Sequence, residues 1–254
     1  IAWETPVRPH VKKIMVIDAL ADRHHDCDVL LDQNLYVDMG TRYDGLVPAH
    51  CLTMEGPKYA LLRPEFVAAR KTLRERDGIV RRVLVFFGGA DTTNETAKAL
   101  GAMKIVNRPD IAIDVVVGNA NPYKKKIAQA CAMLPSTTFY CQIDNMAQLM
   151  ASADLSVGAG GSTIWERCFM GLPTITVTVA VNQEKTTKAV SDSGAIRSMG
   201  WHEDVLSEDL AEAIRTALDK PELVRQMGLN AMTLMGGISH DSENAVLHAL
   251  TKEA

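Results

Sequence analysis

What the chain lacks narrows its chemistry before any motif is read. Its five cysteines, Cys27, Cys51, Cys131, Cys141 and Cys168, are odd in number, widely spaced and free of any C-x-x-C pair, which argues against a disulfide framework and a zinc site. A reducing cytoplasm is the simplest compartment. No block of lysine and arginine extends beyond short clusters such as residues 124–126, and the net charge is -4, so the electrostatic footprint of a nucleic-acid binder is missing. No apolar run approaches the roughly 20 residues of a membrane span. Repeats, low-complexity tracts and a His/Cys cluster are also missing, and the first residue is Ile1 rather than methionine. The expectation is a soluble cytoplasmic protein with no metal or cofactor, read as part of a longer chain.

What is present, over 254 residues that are 47% hydrophobic and 23% charged, is an alternation of short apolar runs with amphipathic segments. Strands are predicted at 14–18, 29–32, 83–87, 113–117, 138–141, 155–157 and 174–179, with a short one near 195–198. Helices are predicted around 94–106, 124–133, 145–153, 163–170, 185–192, 208–219, 222–235 and 242–252. Such alternation predicts a parallel sheet covered on both faces. The basic stretch RKTLRERDGIVRR reads as a linker, which sets a boundary at 75/76. Residues 76–254 then form a complete doubly wound, Rossmann-like domain and residues 1–75 a partial one.

In an open α/β sheet ligands sit beyond the carboxyl ends of the strands, so the loops there carry the candidates. The richest is GAGGSTIWE, residues 158–166, between a buried strand and a helix. Gly158, Gly160 and Gly161 let the backbone turn and approach a ligand, Ser162 suits an N-cap, and Thr163 opens the helix. Amides of that first turn favour an anion, most simply a diphosphate. Glu166 lies one turn beyond Ser162, where its carboxylate could accept from vicinal ribose hydroxyls or serve the helix dipole. FFGGADTTN offers Gly88 and Gly89, with Asp91 or Thr92 as a helix cap. CQIDNM offers the backbone of Ile143 to a base edge, with Asp144 as an alternative cap, and AVNQEKT offers Asn182 and Gln183 as neutral donors. Gly-rich dinucleotide binding fits poorly, because Thr163 stands in the third glycine's place and no acid closes the next strand.

Together FFGGAD, the run from YCQIDNM through GAGGSTIWERCFMGLPTITV, and NQEKT resemble the nucleotide-binding domain of GT-B enzymes, in the group that contains the lipid II N-acetylglucosaminyltransferase. DALADRHHDCDVLLDQN, YDGLVP and YALLRPEF are similar, more closely, to the pseudaminic acid pathway hydrolases that remove UDP from UDP-2,4-diacetamido-2,4,6-trideoxy-β-L-altropyranose. The resemblance implies a GT-B-like α/β fold and an inverting, metal-independent UDP-sugar hydrolase. By it Ile143 meets uracil, Glu166 the ribose, the turn Gly160, Gly161, Ser162 and Thr163 with Gly89 the diphosphate, and Asn182 the reacting sugar. The alternatives are a UDP-sugar-dependent glycosyltransferase and a nucleotide-binding fragment without catalysis.

Two departures stand out. The family pairs two aspartates where this chain has Asp18 and Ala19, and its G-x-G-H loop, whose histidine is the expected general base, has no counterpart in residues 1–254. The chain alone is therefore expected to hold most of the UDP site and turn over little. His25, in the loop after the first strand, could orient substrate or act as an acid/base group near neutrality, against the plain alternative of a hydrogen-bonded loop histidine.

Overall fold

The computed structural model describes residues 3–236 and 241–251, with backbone alone for 241–244. A short helix α1 (Glu4–Val7) leads to strands β1 (Met15–Ile17), β2 (Val29–Asp32) and β3 (Leu52–Glu55), then to α2 (Pro64–Arg70). Next come β4 (Arg82–Phe86), α3 (Glu95–Val106), β5 (Ala112–Val117), α4 (Lys124–Ala132), β6 (Thr137–Cys141) and α5 (Met146–Ser152). They are followed by β7 (Leu155–Ala159), α6 (Thr163–Phe169), β8 (Thr174–Thr178), α7 (Glu184–Asp192) and β9 (Arg197–Trp201). Helices α8 (Ser207–Asp219), α9 (Pro221–Leu234) and α10 (Asp241–Thr251) complete the described chain.

Two compact units emerge, residues 63–235 and residues 1–62 with 236–254. The larger unit is a six-stranded parallel sheet in the order β6-β5-β4-β7-β8-β9. Chain progression runs one way from β4 to β6 and the other way from β7 to β9. The loops after β4 and β7 therefore part at the switch point, where an open α/β sheet forms its crevice. All of β7 and β8 is buried, as expected of strands covered on both faces, and Ser156, Thr174, Thr176 and Thr178 are enclosed with the apolar side chains. Val83, Val85, Val115, Leu155 and Val157 have no exposed surface, and each such side chain stabilises the unit by about 1.5–3 kcal/mol.

The smaller unit is a three-stranded parallel sheet, β1-β2-β3, with Val16 level with Leu30 and Leu30 level with Thr53. Ile14, Val16, Cys27, Leu30 and Tyr43 form one cluster, while Val29, Leu31, Met54 and Val246 of α10 form another. Cys27 and Cys51 place their Sγ atoms 3.5 Å apart as free thiols.

The predicted strands and helices of the larger unit all form, within one or two residues at most ends. Three features differ. First, β3 forms where no strand is predicted from the sequence. Second, the basic stretch is no free tether: Arg76 donates to the carbonyls of Met150 (2.7 Å), Ala153 (2.9 Å) and Met170 (2.7 Å), and Arg74 bonds Asp154. Arg70 also lies over the Phe169 ring, so the compact units part at 62/63 rather than 75/76. Third, α10 packs with the smaller unit, whereas the sequence boundary puts it with the larger; Lys252 of the predicted final helix lies outside the described residues.

Candidate functional site

The carboxyl end of the larger sheet assembles the glycine-rich loops. After Ala159 the chain turns through Gly160, Gly161 and Ser162 into α6. Ile164 N–H donates back to Gly161 (2.9 Å) and Trp165 N–H to Ser162 (3.2 Å). The amides of Gly161, Ser162 and Thr163 find no acceptor among the described residues. Ser162 sits at the N-cap position but makes no side-chain cap bond, since its backbone is already helical. Three adjacent donors thus point off the end of the sheet.

The glycines are there for reasons other than backbone reversal, because none of Gly158, Gly160 and Gly161 has a positive φ. A Cβ on Gly158 would lie 2.3 Å from both the Phe86 carbonyl and Arg167 Nη1, and one on Gly160 would lie 2.2 Å from Thr187 Oγ1. Those two positions are small so that β4, α6 and α7 can close on the turn. Gly161 faces only the Gln183 amide, with Nε2 3.5 Å from its Cβ direction, and so it is the one of the three whose surroundings leave room for a ligand.

Glu166 follows within the first helical turn. Its Oε1 accepts from Arg63 Nε at 3.1 Å, whereas Oε2 is buried without a hydrogen-bond partner. Burial pushes the Glu166 carboxyl above the usual carboxylate range, with Arg63 opposing. Arg63 escaped the sequence reading even though it lies in the YALLRPEF motif. Its partner is 103 positions away, and no local pattern reveals such a pair.

Neighbouring loops complete the site. Gly88 has φ +92° with open space where a side chain would be, a conformation that glycine adopts without cost. The Gly89 carbonyl accepts from Gly118 N–H (3.0 Å), tying the loops after β4 and β5 together. Asp91 caps α3 as predicted, accepting from Glu95 (2.9 Å) and Thr96 (3.0 Å) amides. Beyond β6, the N-cap of α5 is Asn145 rather than Asp144, and the N–H and C=O of Ile143 stay unengaged among the described residues. Asn182 is exposed; Gln183 Oε1 accepts from Val179 N–H at 3.2 Å, holding the amide beside Gly161. β6 and β7 are three strand spacings apart, about 14 Å, so the ledge from Ile143 to the glycine turn suits an elongated ligand.

His25 belongs to the smaller unit, in the loop after β1, and is a hydrogen-bonded loop histidine, the plain alternative named from the sequence. Its side chain is 1% exposed, Nδ1 lies 2.8 Å from Glu4 Oε1, and Nε2 stands 3.8 Å from Asp18 Oδ2 without a hydrogen bond. A ring so enclosed offers no atom to a ligand in this conformation.

Comparison with known proteins now gives this geometry relatives. The sequence pattern of the glycosyltransferase family 28 C-terminal domain matches residues 82–238. The spore coat polysaccharide biosynthesis protein SpsG of Bacillus subtilis is 32% identical over 181 residues, 69% of this chain and 51% of the relative. The UDP-2,4-diacetamido-2,4,6-trideoxy-beta-L-altropyranose hydrolase of Campylobacter jejuni is 27% identical over 185 residues, 72% of this chain and 63% of the relative. The chain thus spans about half of the first relative and under two thirds of the second. Among solved structures, Acinetobacter baumannii MurG matches with a TM-score of 0.63 at 14% identity, over 98% of this chain and 70% of its own. WaaG, a glycosyltransferase involved in lipopolysaccharide biosynthesis, matches at 0.57 and 15% identity, over 99% and 82%. The α/β fold is GT-B-like.

Proposed function

This chain belongs to the glycosyltransferase family 28 C-terminal domain family, and from that premise we propose that it binds a UDP-sugar on the ledge from Ile143 to Glu166. One observation carries the reading: three acceptor-free amides, at 161–163, stand one helical turn from a carboxylate with a buried, unpartnered oxygen. Unused donors suit the diphosphate and the unused acceptor suits a ribose hydroxyl. Ile143 has a free N–H and C=O, the complement of an imide edge such as uracil's. Gly88 and Gly89 border the diphosphate, Gln183 reaches a phosphate oxygen through Nε2, and Asn182 stands exposed toward the sugar.

The chemistry is hydrolysis. A general base takes a proton from a water that attacks the anomeric carbon opposite the UDP, the carbon–oxygen bond breaks, and its electron pair leaves on the diphosphate, where the amides take up the charge. Attack from the opposite face inverts the anomeric configuration. This reading draws on the 27% identity to the named hydrolase and on the motifs quoted from the sequence. A second reading keeps the donor site and puts an acceptor hydroxyl in place of water; the glycosyltransferase description of the matched family favours it. Release of free sugar without an acceptor separates the two. Residues 1–254 hold no G-x-G-H loop, so this chain alone is expected to bind UDP with little turnover, the outcome that a nucleotide-binding fragment would also give.

Calorimetry tests the site directly. UDP should bind, and Glu166→Ala should weaken it by about 1.5–3 kcal/mol, the scale of a buried hydrogen bond to a charged group. Unchanged affinity removes Glu166 from the ribose.

A further inference from the structure

Directly after Glu166 in the sequence comes a buried cation with no ion-pair partner among the described residues. Arg167 is 1% exposed and among the largest fully buried side chains. Its Nη2 donates to the Ala159 carbonyl, while Nε and Nη1 have no hydrogen-bond partner. Nη1 presses on Gly158, at the spot where the Phe86 carbonyl also converges, so the guanidinium lies between the ends of β4 and β7. No carboxylate among the described residues makes an ion pair with it; the neighbouring Glu166 acts on it at longer range and is itself paired with Arg63.

A buried cation without a counter-ion is costly, and an apolar side chain of similar length would fill the same space without that cost. Burial lowers the Arg167 guanidinium to about 10, which still leaves it charged at neutral pH. Its place matters as much as its charge. By holding the Ala159 carbonyl inward, Arg167 takes the last acceptor of β7 away from the crevice, so the turn above presents donors. The loop carrying Gly88 and Gly89 begins at Phe86, beside the same guanidinium.

We propose that Arg167 is the buried counter-charge of the diphosphate, a positioning residue that sets a positive potential beneath both glycine loops without touching the ligand. The inference rests on the UDP-sugar reading and deepens it: the site selects nucleoside diphosphates over nucleosides through a charge that the ligand never contacts.

The test is calorimetry of uridine, UMP and UDP against the wild-type chain, Arg167→Gln, Arg167→Met and Arg167→Lys. Arg167→Gln retains a donor for Ala159 and removes the charge. The ratio of UDP to uridine affinity should fall about tenfold or more in the Gln and Met variants, the scale of one charge acting through a low-dielectric interior, with uridine affinity held within about twofold. Arg167→Lys should recover much of the ratio. Equal losses for uridine and UDP would mark a purely structural role and overturn the proposal, as would an unchanged ratio. Should the variants not fold, nuclear magnetic resonance of the wild-type Arg167 Nε–H decides: a shift with UDP and none with uridine supports the proposal, and no shift with UDP overturns it. Absence of UDP binding by the wild type would instead overturn the diphosphate reading itself, a result distinct from wild-type binding with an insensitive ratio.

Discussion

At the strand ends of the smaller unit most polar groups are matched to one another, His25 Nε2 and Arg42 Nε excepted; at those of the larger unit, more are left over. Asp18, following β1, accepts from the Ala21 amide (2.9 Å), Arg23 (3.2 Å) and Tyr43 hydroxyl (3.2 Å). Asp32, closing β2, accepts from the Asn34 amide (3.0 Å) and the same hydroxyl (2.9 Å). Glu4 takes His25 and the Asp26 amide, at 2.8 and 2.7 Å. Burial works against the charged form of Glu4, yet these bonds hold its carboxyl down to about 2. Beyond β6 and β7, by contrast, amides at 161–163, the Ile143 backbone, one Glu166 oxygen and two Arg167 nitrogens lack partners. Buried or oriented polar groups are nearly always paired in folded chains. Matched ends suit a scaffold, and the unmatched ones are those that the proposed UDP-sugar site would use.

The sharpest way to break this contrast is Gly158→Val. Its side chain would meet the Phe86 carbonyl and the Arg167 guanidinium at 2.3 Å, and the expected loss is about 3 kcal/mol or more of stability in the larger unit. Urea denaturation measures it; a near-native midpoint would mean that β4, β7 and α6 are not packed as described. Tyr43→Phe should cost about 1–3 kcal/mol, since it takes the shared donor from two buried carboxylates. Faster amide exchange should appear at β1 and β2 while UDP affinity stays unchanged, and a change in UDP affinity would dissolve the contrast. The smallest effect concerns pH. Because burial raises the folded Glu166 carboxyl above its unfolded value, the protonated form favours folding: that contribution is full below the unfolded value and is lost as pH rises through the folded one. On the proposed ribose role UDP binding needs the ionised form, so affinity should fall as pH drops through the folded value, at a higher pH than an ordinary glutamate would give. An affinity independent of pH down to the ordinary glutamate range would separate Glu166 from the ligand.

Much of the larger sheet was legible because parallel strands covered on both faces read as short runs rich in apolar and β-branched residues, as in VLVFF at 83–87. β3 was not: with Leu52 and Thr53 exposed and Met54 buried, its four residues show neither a run nor a clean alternation. The glycine turn was visible, though for a partly different reason, since close packing at Gly158 and Gly160 leaves the same mark on a sequence as ligand approach. Arg63, Arg76 and Arg167 were invisible as site or scaffold residues. Each looks like one more surface cation until the fold supplies an acceptor or withholds a counter-ion, and only long-range geometry does either.

The guanidinium of Arg76 gathers carbonyls from the last turn of α5, the approach to β7 and the end of α6. A stretch whose composition reads as a tether is thus a keystone: the segments it clasps can tilt only as one body. The helix bearing Glu166 is thereby fastened to the sheet beneath it.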